Sequence, residues 1–194
     1  MNKIEIPKDY QSALNLHDTQ IAIKTVKDFF QNLLAQRLNL SRVSAPLFVD
    51  PASGLNDNLN GVEHPVSFQI PAQNNRNAEV VQSLAKWKRY ALKRYGFSYD
   101  EGIYTDMNAI RSDEVTDNIH SVFVDQWDWE KIIAKDERNI ETFKDTVRDV
   151  YKCLRKTEKF MAIQYDYIEE ILPQDIFFVT TEELAEIFPD RQQN

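Results

Sequence analysis

The chain has 194 residues, 42% of them hydrophobic and 28% charged, with a formal net charge of -8. This is the composition of an ordinary soluble protein, long enough to bury a core and suited to one domain, or to one domain and part of another. The acidic balance argues against general nucleic-acid or membrane-surface binding, while leaving room for a local basic site.

One cysteine, Cys153, rules out an internal disulfide and a multi-cysteine zinc site and fits a reducing compartment, so a cytoplasmic setting is expected. There is no long apolar run and no basic-then-apolar leader, so neither a membrane span nor a signal peptide is expected. With four glycines, and neither G-x-G-x-x-G nor G-x-x-x-x-G-K-[ST], the chain has little material for a phosphate loop. A nucleotide would have to be held by side chains.

Residues 1–17 are weakly patterned. From Asp18 or Thr19, plausible caps, apolar residues recur at helical spacing through Val26, Phe29, Phe30, Leu33, Leu34 and Leu38, predicting a core-facing helix. Residues 42–49, R-V-S-A-P-L-F-V, read as a strand with Pro46 inside it, at a sheet edge or a subunit contact, because proline cannot donate to a ladder. Residues 50–65 are an Asn-, Asp- and Gly-rich loop with a tight turn at Asn60 and Gly61; Asp57 lies in its middle. P-V-S-F-Q-I follows as a short strand. Beyond a polar turn at residues 73–77, Val80, Leu84, Trp87 and Ala91 share a helical stripe, although residues 79–83 are also compatible with a strand. Lys86, Lys88, Arg89, Lys93 and Arg94 make this the most basic segment, either a solvated helix face or a local anion site.

Residues 101–130 organise the rest. Two flanks rich in β-branched and aromatic residues enclose the polar loop S-D-E-V-T-D-N, the pattern of a long antiparallel hairpin. On the second arm the two-residue period places Ile119, Ser121, Phe123, Asp125, Trp127 and Trp129 on one face, and His120, Val122, Val124, Gln126, Asp128 and Glu130 on the other. A greasy back and a polar front suit the floor of a binding cleft, with Arg111 where the chain enters the loop. After the hairpin, the apolar spacing predicts a long amphipathic helix over residues 131–162 that contains Cys153. D-I-F-F-V, residues 175–179, predicts a buried strand, and T-T-E-E, residues 180–183, matches a T-x-x-E capping box opening a short helix through Phe188.

Several stretches together resemble ammonia-dependent asparagine synthetase, the aspartate–ammonia ligase family. They are S-A-P-L-F-V, G-L-N-D-N-L-N-G-V-E, S-L-A-K-W-K-R, E-G-I-Y-T-D-M-N-A-I-R-S-D-E and H-S-V-F-V-D-Q-W-D-W-E, in the family's order and spacing, over about residues 18–190. The last is very specific. The resemblance implies an α+β fold like the catalytic domain of class II aminoacyl-tRNA synthetases, an antiparallel sheet flanked by helices, in a homodimer, with residues 1–194 as a single, partial domain. The first helix and the Pro46 segment resemble motif 1, the dimer element; the hairpin resembles motif 2, the ATP and amino-acid element. Two departures stand out. Gln82 occupies a position where family members generally have His. The family chain also continues well past residue 194, where further strands, acidic metal and nucleotide contacts and a glycine-rich motif 3 are expected; an apolar edge and exposed hydrophobic surface are the expected consequence.

The implied reaction adenylates the β-carboxylate of aspartate with ATP, releasing pyrophosphate, and ammonia then displaces AMP to give asparagine. Bringing two anions together calls for cations and fixed donors. The resemblance therefore implies Arg111 bridging the α-phosphate and the attacking carboxylate. It implies Glu114, with Asp113 as an alternative, accepting from the adenine amino group, and His120 and Ser121 lining the returning strand near the nucleotide. Mg²⁺ is expected to neutralise the pyrophosphate through ligands beyond residue 194. Lys88 suits the substrate's α-carboxylate, Asp128 its α-ammonium group, and Gln126 its β-carboxylate and the new amide; Ser83 belongs to the same substrate segment. Asp57 suits NH₄⁺ and the proton that it loses.

A second reading is a catalytically inactive partial chain or paralogue that keeps the binding floor and the dimer surface. A third, a synthetase core acting on tRNA, is disfavoured by the acidic balance and by the lack of an anticodon-binding segment.

Overall fold

A computed structural model describes residues 4–57 and 59–189. The first helix, α1, runs Leu16–Leu38 and starts earlier than the apolar pattern alone predicts. Asn15 is the cap: its side-chain oxygen accepts from the Asp18 amide at 2.9 Å, so Asp18 becomes a first-turn carboxylate on the positive end of the helix dipole. The helix stops at Asn39, which adopts the left-handed conformation (φ 56°) that asparagine tolerates, with its N–H on the Ala35 carbonyl.

The single strand expected over residues 42–49 is divided in two. Strand β1 (Leu40–Arg42) pairs in parallel with β5 (Gly102–Ile110), whereas β2 (Phe48–Val49) pairs antiparallel with β4 (Arg76–Val80). Pro46, which lacks an N–H and restricts the residue before it, lies in the gap where the chain leaves one ladder for the other. Strand β3 (Ser67–Ile70) forms a hairpin with β4, so the second sheet has the order β2-β4-β3. The next helix, α2, is confined to Ala85–Arg94, because residues 76–80, just before it, are strand. Its Trp87, Ala91 and Leu92 are buried, together with Leu84 at its cap.

The long hairpin forms as expected, with β5 paired to β6 (Phe123–Lys131). The second arm begins at Phe123, and not at Ile119, so His120 and Ser121 belong to the loop and not to the strand. The register places Ile103 opposite Glu130, Thr105 opposite Asp128, Met107 opposite Gln126 and Ala109 opposite Val124. The strand period carries all eight to one face. There Ile103, Met107 and Ala109 form a core with Val49, Val81, Leu84 and Trp87. On the other face Tyr104 and Trp129 pack with Leu34, Leu38 and Leu40, and Trp127 stacks on Phe30 at 5.4 Å.

Helix α3 runs Ile140–Gln164, starting where Asn139 caps it and not at residue 131, since Lys131 still belongs to β6. It packs against α1, with Phe160 stacked on Phe29 at 3.9 Å and Cys153 buried between neighbours. Residues 175–179 are not the buried strand that their apolar run predicts. No strand among the described residues lies beside them to complete a ladder, and Phe177 is 83% exposed. Phe178 instead lies beneath Lys144 and Arg148, 5.8 and 5.3 Å from its ring centre. The predicted capping box is present at Thr180 and Glu183 and opens α4 (Thr181–Ile187). The expected α+β arrangement, a hairpin-centred sheet with helices on both faces, is thus present, with β1 adding a parallel pairing at one edge.

Candidate functional site

The polar residues of the hairpin's inner face gather around α2. Lys88 projects from the helix into the sheet, and its side chain keeps only 4% of its exposure. A buried ammonium group is tolerable only when it is partnered. Its Nζ donates to the Asp128 carboxylate and to the Trp129 carbonyl at 2.8 Å, and Glu130 stands 3.6 Å away. Arg89, on the outer side of α2, reaches Glu130 at 3.8 Å. Gln126, one strand repeat from Asp128, points its amide at the Met107 sulfur at 3.4 Å. The aromatic residues of this arm take the opposite face, as the period predicts.

The wall beside Lys88 is organised by Asn56, a buried side chain that sequence reasoning overlooked. Its oxygen accepts from the Gln82 amide at 2.8 Å and from the Asp57 amide at 3.1 Å; its nitrogen donates to the Val80 carbonyl and to Glu79, both at 3.2 Å. Asn56 therefore ties the loop that carries Asp57 to the entry of α2. Asp57 faces Lys86, whose Nζ is 3.8 Å from its carboxylate and 3.2 Å from the Asn56 carbonyl. Ser83 accepts from the Ala85 amide at 3.2 Å, steadying the first turn of the helix. Gln82 is buried, with 2% of its surface exposed.

Arg111 stands at the last rung of the hairpin, its amide on the Val122 carbonyl at 2.7 Å. A cavity of about 330 Å³ opens there, and Arg111, Glu114, Gln82 and Glu63 line it. Of the two acids considered for adenine, Asp113 is engaged: it accepts from the His64 amide at 2.6 Å and approaches its ring at 3.1 Å. Those contacts, the amide first, hold its carboxyl below the ordinary value. Glu114 makes no ion pair among the described residues. His120 turns back onto Asp117 at 2.9 Å, which raises its pKa, so its ring is committed to its own loop. Ser121 accepts from the Phe123 amide at 3.3 Å and likewise closes the loop.

Lys88, Asp128 and Gln126 thus meet on the hairpin's inner face, Asp57 and Ser83 flank the start of α2, and Arg111 and Glu114 line the cavity at the hairpin's end, while His120 and Ser121 are engaged within the adjoining loop. Glu130 is the second residue absent from the predicted set. Its place on the strand repeat with Gln126 and Asp128 is the signal that could have found it. Among the described residues no group of three or more His, Cys, Asp or Glu side chains is placed to hold a metal ion. Among the described residues no helix is long and apolar enough to cross a membrane.

This inner face carries one buried cation with two carboxylates close by, and an arginine-lined cavity opens at the hairpin's end. A family model described as aspartate-ammonia ligase matches residues 17–194. The aspartate–ammonia ligase of Clostridium perfringens strain SM101 is 60% identical over 190 residues, 98% of this chain and 56% of that protein. Those of Clostridium tetani and Lactobacillus johnsonii are each 56% identical, over 97% and 95% of this chain and 55% of their own lengths. The chain therefore spans a little over half the length of these curated relatives. Among solved structures, a pyrrolysyl tRNA synthetase from Desulfitobacterium hafniense aligns with 71% of this chain and 50% of that one, at a TM-score of 0.45 and 14% identity. With a family match over nearly its whole length and relatives well above half identical, this chain belongs to the aspartate–ammonia ligase family.

Proposed function

We propose that residues 1–194 form one partial class II synthetase-like catalytic domain of an aspartate–ammonia ligase, carrying its aspartate site and part of its nucleotide site. The observation that carries this reading is the buried pairing of Lys88 with Asp128, on the hairpin face that also carries Gln126. In the substrate-free protein the ammonium and carboxylate groups satisfy each other. Aspartate exchanges one pair for two: its α-carboxylate takes Lys88, and its α-ammonium group takes Asp128. Glu130 remains beside Lys88, so no buried charge is left alone during the exchange.

Gln126 then orients the β-carboxylate towards the opening lined by Arg111. An oxygen of that carboxylate attacks the α-phosphorus of ATP, the bond to the β-phosphate breaks, and pyrophosphate leaves. Arg111 offsets the charge that builds between the two anions. Glu114 accepts from the adenine amino group, and Ser83 supports the substrate wall. Ammonia, delivered as NH₄⁺ beside Asp57, gives up a proton to that carboxylate, attacks the acyl carbon and displaces AMP, and the adduct releases a second proton to solvent as the neutral amide forms. His120 and Ser121 order the loop that flanks the nucleotide. The described residues do not assemble a site for the Mg²⁺ that the family resemblance implies, and the roles assigned here are those of the side chains alone.

The setting that fits is the cytoplasm, without nucleic-acid or membrane partners, and a homodimer formed through α1 and the segment around Pro46. Exposed Ile21 and Ile23 on α1, and Leu47 and Phe48 beside Pro46, support that dimer surface. The test measures aspartate binding by calorimetry and pyrophosphate release with ATP. Binding that is lost in Lys88→Met and retained in Arg111→Ala, with release lost in both, is expected. Aspartate binding that survives Lys88→Met would overturn the reading.

A further inference from the structure

A second charged cleft lies across the sheet from Lys88, on the outer side of α3. Its volume is about 520 Å³, and Arg148, Lys152, Arg155, Lys156 and Lys159 line it. In a chain of net charge -8, five cations against two lining carboxylates, Glu170 and Asp175, reverse the local sign.

The helix period explains how this is built. Residues 151, 155 and 158 share one stripe of α3, and they hold the opposite wall. The Tyr151 hydroxyl donates to the Pro173 carbonyl at 2.7 Å, and Arg155 donates to that of Gln174 at 3.1 Å. Glu158 accepts from the Ile171 and Leu172 amides at 2.8 and 3.0 Å. The neighbouring stripe, residues 148, 152, 156 and 159, is entirely cationic and spans about 16 Å of helix. Arg148 and Lys152 have carboxylate neighbours on their own helix, Asp145 at 2.7 Å and Asp149 at 3.2 Å. Lys156 and Lys159 are exposed and have no ion pair among the described residues. A fixed wall thus stands over a row of cations whose charge is only partly answered.

We propose that this cleft binds a small oligophosphate anion. Several closely spaced negative charges match a row of cations one helical turn apart, which a single carboxylate does not. The cleft's dimensions suit a short phosphate chain, and the protein's overall negative charge disfavours a long nucleic acid there. The inference does not depend on the proposed ligase activity, and its readout is binding without aspartate.

The test is titration calorimetry of the 194-residue protein with inorganic tripolyphosphate, with sulfate at matched ionic strength as the reference. Tripolyphosphate is expected to bind the parent protein more tightly than sulfate. Lys156→Glu with Lys159→Glu is expected to weaken it about tenfold or more, and the paired glutamine variant by a smaller factor, since charge-assisted contacts are lost. Arg111→Ala, which alters the proposed nucleotide site, is expected to leave in place the binding that depends on Lys156 and Lys159. Lys24→Glu with Lys93→Glu, an equal change of net charge elsewhere, is expected to weaken binding far less. Exposed lysines leave the fold intact, which circular dichroism and melting would verify. The proposal is overturned if tripolyphosphate binds no better than sulfate, an adventitious ion only. It is equally overturned if Arg111→Ala abolishes binding, or if the control pair weakens it as much as the cleft pair.

Discussion

Lys88 on α2 and Asp128 on β6 hold each other across the helix–sheet interface, with the lysine nearly excluded from water and Glu130 3.6 Å away as a second counter-charge. Removing the cation leaves two carboxylates facing a core. Lys88→Met is therefore expected to destabilise the protein towards the lower end of the roughly 3–5 kcal/mol typical of a broken buried pair, because both carboxylates keep some contact with water. Asp128→Asn should cost less, since Glu130 still answers the lysine. Urea denaturation midpoints measure the difference; equal losses, or the reverse order, would contradict it.

Asn56→Ala removes the acceptor for the buried Gln82 amide. An unsatisfied buried donor costs about 1–3 kcal/mol. The Gln82 and Asp57 amides should also exchange with deuterium faster than in the parent, while those of the β5–β6 ladder keep their protection. Unchanged exchange at Gln82 would show that Asn56 does not organise this wall.

Gly102 pairs with Lys131, and a methyl group there would stand 2.5 Å from the Leu40 Cδ2 and 2.6 Å from the Glu130 carbonyl oxygen. The leucine can rotate, but the strand backbone cannot move without breaking rungs. Gly102→Ala should cost about 1–3 kcal/mol, the range for an overpacked core. A melting temperature equal to that of the parent would refute it.

His120 hydrogen-bonds to Asp117, which raises the histidine pKa above the usual 6.5, and the Ile119 amide and then His120 lower that of Asp117 below 3.8. The histidine's contribution to loop order is complete below pH 6.5 and is lost as pH rises through its elevated value. The carboxylate's contribution is present above pH 3.8 and is lost as pH falls through its depressed value. Nuclear magnetic resonance titration should find His120 titrating above a free histidine, and Asp117→Asn should return it to the ordinary range. No change in that variant would refute the pairing.

The hairpin, its two faces and the capping box at Thr180 were legible in the sequence because each follows from a strict local period or a fixed spacing. The division of residues 42–49 between two sheets was not, since a three-residue strand and a two-residue strand carry no period, and Pro46 signals a break without saying what lies on either side. The apolar run at residues 175–179 misled for a related reason. Burial depends on a neighbouring strand, and composition does not report one. Arg111, Gln126, Asp128, Lys88 and Asp57 were nameable only from the resemblance: Gln126 and Asp128 share the face onto which Lys88 packs, Arg111 stands at the hairpin's end, and Asp57 faces Lys86. Asn56 escaped because a buried asparagine in a turn-rich loop reads like any other turn residue.

The Pro46 crossing has a further consequence for the spacing of the molecule. Val43 is pinned to the Tyr104 carbonyl at 3.0 Å, and the Leu47 carbonyl to the Val81 amide at 3.0 Å, so only residues 44–46 are free to span the two sheets. From Val43 to Leu47 the chain takes four residue steps, which reach at most about 14 Å when taut. That tether acts as a gauge block: it sets how far the strand end leading to Asp57 and Gln82 stands from the hairpin that carries Asp128. Adding or deleting one residue there would shift one wall of the pocket against the other, whereas the same change in the loop at residues 112–121 would leave that separation alone.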